Sequence, residues 1–132
     1  MLVAEDDPVQ GMLLMLFLER IGVSAALVTD GTQAVEAVKA GDFSLVLMDY
    51  LMPSTNGVDA TLGIRAWEKA SGRTPLPIVA VTASAMKDEC RRYVDAGMDD
   101  VLVKPFSARE LGELVMRYLP VAQFGEALTA SS

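Results

Sequence analysis

The 132-residue chain is 52% hydrophobic, enough for one packed core and without the low-hydrophobicity, high-charge bias of disorder. A net charge of -7 with only 11 Lys and Arg residues argues against nucleic-acid binding by counterion release. Histidine is absent and Cys90 is the single cysteine, which excludes Ser-His-Asp and Cys-His catalysis, histidine metal sites, intrachain disulfides and multi-thiolate zinc sites.

In chain order, the apolar run MLVA, Met1 to Ala4, predicts a strand. Pro8 fits the first turn of a helix reaching Ile21. Its run Met12 to Leu18 is the longest apolar stretch and falls far below the ~18 residues of a membrane span. A soluble chain follows, and the lone cysteine without a signal peptide favours a cytoplasmic setting. Ala25 to Val28 reads as a second strand, and Asp30 as the N-cap of a helix through Ala40, stopped by Gly41. Leu45 to Met48 is a third strand, followed by a helix over Val58 to Ala70. Ile78 to Thr82 is a fourth strand, before a helix over Met86 to Ala96 closed by Gly97. Val101 to Val103 and a helix over Ser107 to Tyr118 complete the domain, 1–119, leaving 120–132 as a linker or tail.

Strict alternation of strand and helix makes the strands parallel, because each helix returns the chain to the same end of the sheet. Apolar strands without a period of two imply helices on both faces. The fold expected is therefore α/β, a doubly wound (βα)5 sandwich, in which ligands bind at the carboxyl ends of the strands.

At those ends stand the polar groups that interrupt the apolar runs: Glu5, Asp6 and Asp7 after strand one, Asp49 after strand three, Thr82 ending strand four and Lys104 after strand five. Carboxylates crowded on one rim repel each other, and oxygen donors without His or Cys select a hard cation such as Mg2+ or Mn2+. A carboxylate can also attack phosphorus if metal and cation offset the incoming charge. Lys104 supplies that cation, and Thr82 a hydroxyl donor for a phosphoryl oxygen.

From Met1 to about Tyr118 the chain resembles receiver (response-regulator) domains of two-component signalling. Four motifs in order carry the resemblance: VAEDDP, LVLMDYLMPSTNG, PIVAVTASAM and GMDDVLVKPF. ATLGIRAWE and CRRYVDAGMDD are most similar to receivers of hybrid histidine kinases. The resemblance implies a flavodoxin-like sheet of order 2-1-3-4-5. It also implies a phosphoacceptor role for Asp49, Mg2+ held by Glu5, Asp6, Asp49 and the Leu51 backbone carbonyl, a switch hydroxyl on Thr82, and a phosphate-neutralising Lys104 before a cis Pro105. Ala83, small and next to Thr82, would leave that donor a clear path. The implied partner is a histidine kinase or histidine phosphotransfer domain. A homodimer is compatible, and neither nucleic acid nor membrane is expected to bind this stretch. Lacking histidine, the chain must receive its phosphoryl group from outside these residues.

The sequence departs from the family pattern in places. The aromatic residue often found three before the lysine is Val101, so a switch through that position is not expected. Leu51 stands two after Asp49, where it cannot orient an attacking water, and Ser84 stands two after Thr82. Strand one is short at its start, which leaves open whether Met1 begins the natural chain. Leu51 also weighs against a haloacid-dehalogenase-like phosphatase, which needs a second Asp there. A receiver-like domain that is never phosphorylated would not be expected to keep the whole polar set.

Among other residues, Asp7 reads first as a helix cap, Asp59 as a first-turn charge, Asp99 and Asp100 as a solvated turn, and Cys90 as a small buried or half-buried side chain rather than a reactive thiol. If Val9, Leu13, Leu16 and Phe17 of the first helix face the sheet, then Leu14, Met15 and Leu18 form an outward apolar patch for a helical partner.

Overall fold

Five strands and five helices alternate along a computed structural model that describes residues 1–50, 56–83 and 86–119. They are β1 (Leu2–Ala4), α1 (Pro8–Arg20), β2 (Ala26–Val28), α2 (Gly31–Ala40), β3 (Val46–Asp49), α3 (Gly57–Ser71), β4 (Ile78–Thr82), α4 (Lys87–Ala96), β5 (Asp100–Val103) and α5 (Ala108–Tyr118). Leu51, Ser84 and the 120–132 tail lie outside the described residues.

All strand pairs are parallel, in the order β2-β1-β3-β4-β5. Successive strand residues point to opposite faces and build a core on each. Val3, Leu47, Val79 and Val81 pack with Leu14 and Leu18 of α1 and Leu111, Leu114 and Val115 of α5. Leu2, Val46, Met48, Ile78 and Ala80 pack with Ala34 and Val38 of α2, Ala60 and Ile64 of α3, and Tyr93 of α4. Each fully buried aliphatic side chain stabilises the fold by about 1.5–3 kcal/mol before ordering costs.

Local chemistry fixes where the helices begin. The side chains of Asp7, Asp30, Asn56 and Ser107 accept first-turn backbone N–H groups of α1, α2, α3 and α5, and Ser107 with Glu110 forms a reciprocal capping box. Gly97, at φ 104°, ends α4 in a left-handed turn that a side chain would strain.

The outward patch expected on α1 is corrected. Leu14 and Leu18 are 3% and 0% exposed and Met15 is half-buried, whereas Val9, Met12, Leu13 and Leu16 lie in solvent. Apolar residues run almost all round this helix, so periodicity could not set its rotation. The face bearing Gly11, Leu14 and Leu18 turns inward, and Gly11 suits it: a Cβ there would lie 3.2 Å from the Leu27 side chain on β2.

Candidate functional site

Parallel winding delivers the expected polar groups to one rim. Glu5 directly follows β1, Asp49 ends β3 and Thr82 ends β4, and they are 2%, 6% and 6% exposed. Asp6 is exposed and Lys104 half-buried. The Lys104 backbone N–H donates to the Thr82 carbonyl at 2.7 Å, and the Lys104–Pro105 bond is cis. Ala83 is exposed beside Thr82. Together they line an open cleft of about 460 Å³.

Lys104 Nζ donates to Glu5 Oε1 at 2.9 Å and lies 3.6 Å from Asp49 Oδ1. Asp7 does cap α1, accepting from the N–H groups of Val9 and Gln10 at 2.9 and 3.4 Å, and its own N–H donates to Glu5 Oε2 at 3.4 Å. Gly57 starts α3 hard against the end of β3. Its N–H donates to the Tyr50 carbonyl at 3.0 Å, and a Cβ there would meet the Asp49 carbonyl oxygen at 2.5 Å.

Glu5, Asp6 and Asp49 each offer a carboxylate oxygen within 4.8 Å of the other two. Burial, then the hydrogen bond to Glu5 and the charges of Glu5 and Asp6, push the Asp49 carboxyl up to about 8, with Lys104 opposing. Burial also acts to raise Glu5, but hydrogen bonds from Asp49 and Lys104 and the charge of Lys104 outweigh it and hold Glu5 below its ordinary value. With Lys104 as its cation and no metal ion, the pair therefore keeps a proton on Asp49 at neutral pH. A hard divalent ion fits this donor set, because it would offset the same repulsion without that proton.

Sequence reasoning missed a tyrosine. Tyr93 of α4 is 1% exposed and its hydroxyl donates to Thr82 Oγ1 at 3.1 Å. Its ring tilts against Tyr50, with centroids 5.5 Å apart, and the Arg92 guanidinium reaches the Tyr50 hydroxyl at 3.1 Å. The signal was present: in the polar helix KDECRRYVDA, Cys90, Tyr93 and Ala96 recur every third residue and mark the inward face. Cys90 is half-buried, as expected. Asp99 and Asp100 do more than turn the chain. Asp99 accepts from the Ile78 N–H at 2.9 Å and from Arg65 at 3.0 Å, and Asp100 from Arg117 at 2.9 Å and Tyr118 at 3.1 Å.

The model of the response regulator receiver domain family matches residues 1–116. The chain belongs to that family. This receiver domain is 43% identical over 121 residues to the sensor protein GacS of Pseudomonas syringae pv. syringae, covering 92% of this chain but 13% of that relative's length. The receiver domain of the sensor histidine kinase PA1611 from Pseudomonas aeruginosa PAO1, solved with a magnesium ion coordinated in its active-site cleft, is 36% identical. It matches with a TM-score of 0.80 over 89% of this chain and 93% of its own. The receiver domain of Ssk1 from Saccharomyces cerevisiae, solved in complex with the histidine phosphotransfer protein Ypd1, is 31% identical, with a TM-score of 0.85 over 89% of this chain and 86% of its own. The receiver domain thus serves two-component signalling, with relatives among sensor histidine kinases as its motifs implied, and the phosphatase alternative falls away.

Proposed function

We propose that this receiver domain accepts a phosphoryl group onto Asp49 from a phosphohistidine outside these residues. The observation that carries the reading is the meeting of Glu5, Asp6 and Asp49, oxygens within 4.8 Å, with Lys104 on the same rim. Glu5, Asp6, Asp49 and the Leu51 backbone would hold Mg2+, which supplies positive charge to the carboxylates and to the incoming phosphoryl oxygens. An Asp49 carboxylate oxygen attacks phosphorus in line, the P–N bond to the donor imidazole breaks, and the imidazole leaves with its electron pair and takes up a proton. Lys104 turns from Glu5 and Asp49 to the transferred group and offsets its charge. Thr82 donates its hydroxyl to a phosphoryl oxygen and shifts a two-state equilibrium of the surface around β4, β5 and their helices.

The donor docks beside the cleft on α1. Val9, Met12, Leu13 and Leu16 form an exposed apolar face there, and Leu13, Phe17, Pro105 and Phe106 line an adjoining groove of about 450 Å³. A helical partner suits this face, and the Ssk1 receiver, solved in complex with the histidine phosphotransfer protein Ypd1, supports a donor of that class. The 1–119 domain, with 120–132 as its linker, fits a place within a longer cytoplasmic hybrid kinase. The half-buried free thiol of Cys90 suits the reducing setting. No described helix is long and apolar enough to cross a membrane.

Incubation with acetyl phosphate tests the reading. The wild type gains one phosphoryl group in the presence of Mg2+ and loses that gain in EDTA, and Asp49→Asn gains none. Equal incorporation by Asp49→Asn would overturn the assignment.

A further inference from the structure

We propose that Tyr93 is the positioning residue that couples Thr82 to helix α4: its hydrogen bond holds α4 in the unphosphorylated state, and Thr82 releases it on turning to a phosphoryl oxygen. This rests on the reading of Asp49 as phosphoacceptor and names the element through which that site is read out.

The attachment of α4 makes the tyrosine decisive. Tyr93 and Ala96 are the buried residues of this helix, and Tyr93 is by far the larger of the two. The Tyr93 ring also leans on Tyr50, the residue after Asp49, so ring and hydroxyl both report on the cleft. Position 101, paired with Ala80 in the sheet, is a valine and offers no competing hydroxyl from β5. A buried phenol whose acceptor turns away is left desolvated without a partner, so the ring cannot keep its place once Thr82 moves. Its departure takes α4 with it, and with α4 the exposed apolar side chains of Met86 and Val94.

Amide hydrogen exchange over residues 87–96, compared at equal phosphoryl occupancy after acetyl phosphate and Mg2+, tests the coupling. In the wild type, exchange there rises about fivefold on phosphorylation, the factor that one net hydrogen bond of ordinary strength represents. In Tyr93→Phe, which keeps the ring, exchange is already fast and phosphorylation adds nothing. A merely structural tyrosine would speed exchange in both states and leave the increment intact, and that result overturns the proposal. The wild type alone gives a second measurement with carbon-labelled tyrosine: the Tyr93 ring resonance moves on phosphorylation while that of Tyr118, bonded to Asp100, stays. An unmoved Tyr93 resonance overturns the coupling alone, whereas absence of incorporation at Asp49 overturns the phosphoacceptor reading and the coupling with it.

Discussion

Leu51 stands two residues beyond Asp49 in the sequence, the position at which the receiver pattern leads one to expect a polar side chain that would hold a water for attack on the phosphoryl group. An apolar side chain has no group to orient that water, so the phosphorylated domain is expected to be long-lived. Replacing it by Asn adds one hydrogen bond to the attacking water, and autodephosphorylation should quicken by roughly tenfold. Following the loss of phosphoryl group from both proteins checks this, and an unchanged or slower rate in Leu51→Asn would remove the idea. At the same scale, the gathering of Glu5, Asp49, Thr82 and Lys104 on one rim was legible in the sequence because each interrupts or ends an apolar strand run, where a polar group needs a reason. Tyr93 was not legible as a partner of Thr82, because a tyrosine inside a helix states nothing about which strand end its hydroxyl will reach.

Among the elements, α1 and α4 teach opposite lessons about hydrophobic patterning. In α1 the apolar residues are so many that no face stands out, and only the missing side chain of Gly11, packed toward Leu27, reveals the inward side. In α4 they are few, and Tyr93 and Ala96 are the ones that anchor it. The corrected rotation of α1 gives a discriminating pair of substitutions. Leu13→Glu, at a position 46% exposed, should leave stability nearly unchanged and weaken phosphorylation by a phosphotransfer partner about tenfold, while acetyl phosphate still works. Leu14→Glu, one residue on and 3% exposed, buries an unpaired charge and should cost about 3–5 kcal/mol in urea unfolding. If Leu14→Glu instead proved stable and selectively impaired in transfer, the rotation described here would be wrong. The parallel strands needed no such correction, because alternation with helices leaves few ways to wind them, and their order is the one the family resemblance implied.

For the molecule as a whole, the crowded rim is a linkage between protons, metal and folding. The Asp49 carboxyl stands at about 8 in the fold against an ordinary 3.8, so the folded state binds the extra proton across that window. Its contribution is fully present below the ordinary value and is lost as pH rises through the folded one. Glu5, held below its ordinary value of 4.5, acts in the opposite sense and loses its contribution as pH falls into the acid range. In EDTA, wild-type stability relative to Asp49→Asn should therefore fall as pH rises from about 4 to about 8, and Mg2+ should recover most at the alkaline end. Chemical unfolding across that range decides it, and a relative stability that climbs with pH in EDTA would contradict the electrostatics of the site.

The ion pair between Glu5 and Lys104 joins residues 99 positions apart. Few contacts in a chain of this length ask for a larger loop to close, and such closure comes late in folding. During synthesis the acidic residues emerge first and wait for a lysine that lies close to the domain's last helix. A ribosome-bound chain that has not yet reached Lys104 lacks the cation that, on the proposed function, would make Asp49 a useful acceptor. On the proposed function, competence to receive a signal would thereby be tied to completion of the domain, and unfinished copies would not drain phosphoryl groups from the donor.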